Sequence, residues 1–395
     1  MNLKVTLILV VVAAVLCGGL YMIWNKQSQP DAGRNTGIKV FPDLPVNDIA
    51  KLVMRDSKTT VTLERKGGEW VVADYYDYPA QFTMVSDSLK KLYDMTIGQV
   101  VRVRPESLGR LQLEHPDNTA APDDQKGTLV AAFLEDGQTV ATCIVGKDKM
   151  KDVDESNPYQ FMAQKDGQYV CIPGENKVYL VNQVLNLEKQ PLNWIDRRIF
   201  SVTKDQISEL TVTLPAGETY TISHTNATEP FILADMPADQ QLKSSDVDSL
   251  ATSLGYFTIS SVVDPSIAAT TIVMNSTWTI TGKTFDGTVY TVSLSETNSP
   301  VAYMQVGVEF QQPDFGLTVT NEKQRVVLEE KGYEIQDKAK LLNNKISPWL
   351  YTIPDYKANQ MRKSLESLLE PVKKEEAEPA AETSEKTMPD PDEIE

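Results

Sequence analysis

The chain has 395 residues and a formal net charge of −17, room for two ordinary domains and enough acidity to repel phosphate backbones. A nucleic-acid partner is therefore not expected. With two histidines, His115 and His224, and three cysteines, Cys17, Cys143 and Cys171, a histidine-centred triad or zinc site would need residues far apart in sequence to meet.

Residues 5–24 (VTLILVVVAAVLCGGLYMIW) hold no charge and no proline. As a helix rising about 1.5 Å per residue they would reach about 30 Å, the hydrocarbon thickness of a bilayer. The run is longer than a signal-peptide core and leads into Asn25, Lys26 and Gln27 without a small-x-small cleavage site. Cys17 follows Leu16, where lipid attachment wants a small residue. An uncleaved transmembrane anchor is thus expected ahead of a cleaved signal or a lipoprotein. Lys4 and the amino terminus favour a cytoplasmic side for residues 1–4, with Lys26, Arg34 and Lys39 opposing. That orientation puts the body on the periplasmic or extracytoplasmic side of the inner, cytoplasmic membrane.

Residues 25–46 are polar, with Pro30, Pro42 and Pro45, and read as a linker that would hold the body roughly 25 Å from the membrane. From Asp48 the pattern turns to β. Residues 60–65 (TVTLER) alternate apolar and polar, Gly67-Gly68 marks a hairpin, and residues 69–73 (EWVVA) return. Val85, Leu89, Leu92 and Tyr93 fall at helical spacing, and Val100, Val101 and Val103 begin another strand. Asp136-Gly137 and Asp166-Gly167 mark two more hairpins, separated by acidic loops over 114–126 and 148–158. A short strand over 178–181 and a helical or irregular segment over 183–198 close the stretch.

The pattern then starts again. Thr60-Val-Thr-Leu63 matches Thr219-Tyr-Thr-Ile222, Asp87-Ser88-Leu89 matches Asp248-Ser249-Leu250, and Asp136-Gly137 matches Asp286-Gly287. Phe161-Met162 matches Tyr303-Met304, Tyr179 matches Tyr333, and Trp194 matches Trp349. The expected fold class is α+β: a single transmembrane helix, then two tandem copies of a β-rich unit, 47–202 and 203–354, each of antiparallel hairpins plus one main helix. A C-terminal helix over 355–370 and a disordered acidic tail over 371–395 complete the chain.

No phosphate-binding glycine loop, nucleophile elbow, zinc helix or C-x-x-C motif occurs. No catalytic residue, cofactor or metal ligand is therefore assigned. Asp123-Asp124 and the acids at 152–155 could in principle hold Ca²⁺, but lack a recognised spacing and read as solvated loops. Cys143 and Cys171 fall in strand-like runs of the same half, where a disulfide and two separate buried thiols are both open readings. Asp196, Arg197 and Arg198 end the first copy behind Trp194: they can form a docking surface, or serve a turn that Trp194 plugs into the core. Tyr75, Tyr76 and Tyr78 could line a ligand groove, since aromatic faces stack on sugar rings.

The order of anchor, proline-rich linker, TVTLERKGGEWVV, YPA, helix, hairpins, VYLV and WIDRR resembles the bacterial family called domain of unknown function 4340, well over 49–200 and loosely beyond. The resemblance implies a membrane-anchored envelope protein, often encoded beside ABC-type transporters of the gliding-motility kind. The function expected is a non-enzymatic accessory subunit tethered through residues 5–24 and contacting ABC-type transporter subunits. A module binding an envelope glycan or small ligand between the copies is the first alternative, and a carboxylate-based envelope hydrolase the second.

Overall fold

Residues 37–151, 165–185, 187–255, 257–271, 274, 277–295, 300–312 and 322–372 are described by the computed structural model, and the statements below concern these. They fall into two compact units that part between Arg197 and Arg198.

The first unit is built from hairpins. Strand β1 (Ile49–Arg55) pairs with β2 (Thr60–Lys66), so that Leu52 faces Leu63 and Met54 faces Val61. Gly67 and Gly68 take φ of 58° and 90°, the left-handed backbone of a tight two-residue turn, and lead into β3 (Glu69–Val72) and β4 (Tyr78–Pro79). Helix α1 (Phe82–Tyr93) buries Val85, Leu89 and Leu92, one stripe at helical spacing. Then come β5 (Ile97–Val101), β6 (Thr128–Leu134), β7 (Thr139–Met150), β8 (Lys165–Cys171) and β9 (Val178–Val181). Together they form a nine-stranded antiparallel sheet in the order β4-β3-β2-β1-β6-β7-β8-β9-β5.

The second unit opens with β10 (Arg198–Phe200) and continues through β11 (Ile207–Thr213), β12 (Thr219–Ser223), β13 (Ile232–Leu233), β14 (Gln240–Leu242) and helix α2 (Ser244–Ser253). Next are β15 (Phe257–Thr258), β16 (Ser261–Val262), helix α3 (Pro265–Thr271), β17 (Thr277–Thr284), β18 (Thr288–Ser295) and β19 (Val301–Phe310). Helix α4 (Glu322–Ile346), β20 (Tyr351–Pro354), helices α5 (Asp355–Met361) and α6 (Leu365–Leu368), and β21 (Leu369–Pro371) follow. The main sheet runs β13-β12-β11-β17-β18-β19-β20-β16, the path of the first sheet without a partner for β4. In both, a three-strand meander folds back to the centre and a strand that follows the first helix, β5 in one and β16 in the other, returns to the far edge. Leu210 faces Ile222 here as Leu52 faces Leu63 in the first unit.

Several expectations are corrected. The α+β class gives way to a mostly β-sheet chain, because its apolar residues recur mainly at period two within hairpins. Among the described residues no helix is long and apolar enough to cross a membrane, and the transmembrane helix expected over 5–24 lies outside them. The end of the expected linker is folded: Gly37 and Val40 donate backbone N–H groups to Ile97 and Met95, and Leu44 is buried. Tyr333 is no counterpart of Tyr179, since it lies exposed on α4, while the strand equivalent to β9 is β20, after Trp349. Trp349 therefore precedes the strand that Trp194 follows, and the match of the two fails. The helix expected over 355–370 is two short helices and a strand, because Lys363 breaks it: its carbonyl accepts the Tyr220 hydroxyl at 2.6 Å. Residues 152–164, with Phe161, and 373–395 of the expected disordered tail lie outside the described residues.

Candidate functional site

The turn between β3 and β4 draws the tyrosines and the closing segment together. After a 3-10 turn at Ala73–Tyr75, Tyr76 and Asp77 take φ of 60° and 56°, two successive non-glycine residues in the left-handed region. Each such residue costs about 1–2 kcal/mol, and such strain gathers at functional positions. The surroundings hold it in place. Asp74 accepts the Thr62 backbone N–H, and Lys66 reaches Asp77 at 2.7 Å. Glu64 links Lys66 (3.5 Å) to Lys51 (2.7 Å) along the sheet. The Asp77 carboxylate beside Lys66 holds its ammonium above the usual range, and the Lys51 hydrogen bond holds Glu64 below the usual carboxylate range.

Tyr75 and Tyr76 meet in a tilted pair, with ring centroids 5.1 Å apart and planes at 49°, and Tyr76 is 41% exposed. Tyr78 is buried opposite Val72, so it belongs to the core and not to a groove. The closing segment lies along β4. Gln81 N–H donates to the Trp194 carbonyl at 2.7 Å, Asp196 N–H donates to the Pro79 carbonyl at 2.8 Å, and Ala80 faces Ile195 between them. Trp194 is fully buried, its indole N–H given to the Glu188 carbonyl at 2.8 Å. Asp196 is half-buried beside it, and Arg197 is exposed, with Nη2 3.3 Å from both the Leu192 carbonyl and Asn193 Oδ1. Arg198 goes elsewhere: it opens β10 and pairs with Thr258 in the second unit. The turn at Ala73–Tyr75 thus packs against residues 191–193, on which the Arg197 guanidinium rests, while Tyr78 belongs to the core and Arg198 to β10.

Such a surface offers phenol rings, a guanidinium and carboxylates for recognition. A glycosidase-type acid needs a carboxyl titrating above its ordinary range. Among the described residues, the carboxyls whose titration is displaced, Asp56, Glu64 and Asp286 among them, all lie below it. His115 sits near Asp117 in the first unit, at 3.7 Å, whereas His224 is buried in the second. Among the described residues no three His, Cys, Asp or Glu side chains are grouped to hold a metal ion. Asp123 is spent on Lys126 at 3.0 Å.

Of the two readings open for Cys143 and Cys171, the structure has two free, buried thiols and no disulfide between them. Cys171 lies opposite Ile144 on the neighbouring strand, so it shares a face with Ile144, and Cys143 points to the other face. Burial pushes the thiols up, to about 12 for Cys143 and about 11 for Cys171. The left-handed turn itself escapes sequence reading, since tyrosine rarely adopts it. Asp77 two residues before Pro79 is the one local hint.

No curated protein and no solved structure matches the chain. The family described as Domain of unknown function (DUF4340) matches residues 70–273. That stretch begins at Trp70, contains the tyrosine turn and the whole closing segment, and runs on through α3, further into the second unit than the resemblance read from the sequence. As it takes in more than half of the 395 residues, the chain belongs to this family of unknown function, DUF4340.

Proposed function

We propose that the chain is an interaction subunit that docks on an envelope partner through the tyrosine turn of its first unit. The carrying observation is the Tyr75–Tyr76 pair, presented on a left-handed turn that packs against residues 191–193, where the exposed Arg197 also rests. Exposed aromatic rings and arginine are the residue types that dominate protein-contact energies. A strained turn fixed by Asp74, Asp77 and Lys66 presents them with little ordering left to lose on binding. The uncharged residues 5–24 support a membrane-tethered, extracytoplasmic setting, and the family resemblance supports an ABC-type transporter subunit as the partner class.

The test is recovery of the full chain from native membranes after mild crosslinking. Transporter subunits are expected with the wild type and depleted at least tenfold with Tyr76→Gly, which keeps the left-handed turn and removes the ring. Recovery of the chain without a transporter subunit, or equal recovery by the variant, sinks the reading. Capture of glycan fragments in place of protein would favour the ligand-binding alternative.

A further inference from the structure

The two units treat their third strand differently. Val72 of β3 faces Leu63 of β2, and Leu233 of β13 faces Ile222 of β12, so the register makes Val72 the counterpart of Leu233 and Val71 that of Ile232. In the first unit β4 pairs along the outer edge of β3, with Tyr78 opposite Val72, and Val71 is only 8% exposed. In the second unit β14 holds the chain position of β4, between the third strand and the first helix, yet it pairs with β21 instead. β13 is thereby left as the edge of its sheet, and Ile232 is 56% exposed.

A cleft of about 580 Å³ opens where the two strands part, lined by Ile232 and Leu233 of β13, Gln240 and Leu242 of β14, and Val247 of α2. Successive residues of an antiparallel strand direct their N–H and C=O groups to opposite sides, so one residue of β13 turns its pair away from β12. Among the described residues no second strand takes that pair. β13 also carries none of the charges or prolines that guard an exposed sheet edge. The charge at the cleft is acidic. Lys204 is held by Asp248 at 2.8 Å, which leaves exposed Glu229 as the unmatched charge of the lining among the described residues. The connection from β13 to β14 adds exposed Asp235 and Asp239.

We propose that this edge takes an extended peptide of a protein partner, added to β13 as β4 is added to β3, with apolar side chains at alternate positions and basic residues among the others. In such strand addition the main-chain hydrogen bonds supply affinity, and pockets for alternate side chains supply specificity. The first unit shows what the position accepts: Tyr78 is buried opposite Val72, and an apolar side chain opposite Leu233 makes the equivalent contact. The chain's own residues 373–395 follow Val372, whose N–H donates to the Asp239 carbonyl at 3.0 Å, but with nine carboxylates against three lysines they carry the wrong sign. The site lies wholly in the second unit and uses no residue of the tyrosine turn.

The probe is a fluorescein-labelled peptide of sequence KVYVTVK, titrated with the full chain and read by anisotropy. Saturable one-to-one binding is expected, lost when every backbone nitrogen of the probe is methylated and weakened when both lysines are replaced by glutamate. Ile232→Lys should weaken binding at least tenfold and Ile232→Val less than threefold. Because Ile232 is exposed, both variants keep the fold, which circular dichroism verifies. Amide hydrogen exchange should show new protection within residues 231–242 on binding. Tyr76→Gly should leave the affinity unchanged, which separates this site from docking through the tyrosine turn. No saturable binding by the wild type, equal affinity for the methylated probe, or binding that appears only after residues 373–395 are removed overturns the proposal.

Discussion

Trp194 has no exposed surface and its indole N–H is satisfied by Glu188, so truncation would leave a large cavity in the first unit. Trp194→Ala should cost about 3–5 kcal/mol, read as a lowered urea midpoint of that unit. Its plugging role was open to sequence reading because a large aromatic follows a short apolar strand. The cysteines were not, because whether two thiols share a face depends on strand register and not on spacing. Their burial has a pH consequence. An unfolded thiol loses its proton near the ordinary 9.0, whereas Cys143 keeps it until about 12 and Cys171 until about 11. Above pH 9 the unfolded state thus binds fewer protons than the native state, and stability falls as pH rises, by up to about 1.4 kcal/mol per unit for each thiol. Between pH 9 and 10 the thiols should dominate, since the raised Tyr179, Tyr220 and Tyr290 join only above the ordinary 10.0 of tyrosine. Urea midpoints at pH 8, 9 and 10 should decline, and Cys143→Ala should roughly halve the decline.

Hairpins were the elements best read in advance, because their signals are local. Gly67-Gly68, Asp136-Gly137 and Asp286-Gly287 each sit at the turn between two paired strands. Helix α4 is not legible in the sequence because it is long but polar, and Tyr333 in its middle mimics the aromatic of a strand. The apolar spacing over 355–370 overstates the helix for a different reason: long-range bonds outweigh local helix preference there. Lys363 reaches Asp246 at 3.0 Å, Lys243 N–H donates to the Leu368 carbonyl at 2.8 Å, and β21 pairs with β14. Leu368, fully buried within that join, should lose about 2–5 kcal/mol on change to alanine. The melting temperature of the second unit should drop accordingly, while Leu341→Ala, at an exposed position on α4, leaves it unchanged within error.

At the scale of the molecule, the family match and the folding units do not coincide. The matched stretch, 70–273, starts after β1 and β2, yet both lie in the interior of the nine-stranded order, between β3 and β6. It stops before β17, β18, β19 and β20, which make up half of the eight-stranded sheet. A fragment cut to the match would leave β3 and β6 without their neighbour strands and β11 with β12 on one side only, so the apolar rows of Leu52, Met54, Val61 and Leu63 could not cover the remaining strands. A fragment of residues 37–197 keeps every strand of its sheet, the buried Trp194 and the tyrosine turn. Cooperative urea unfolding is therefore expected from residues 37–197, with a single transition followed by circular dichroism and tryptophan fluorescence alike. Residues 70–273 should show a broad, non-cooperative loss of signal and bind hydrophobic dye. Cooperative folding of the 70–273 fragment would mean that its strands can pair in another order, and the nine-stranded arrangement would have to be redrawn.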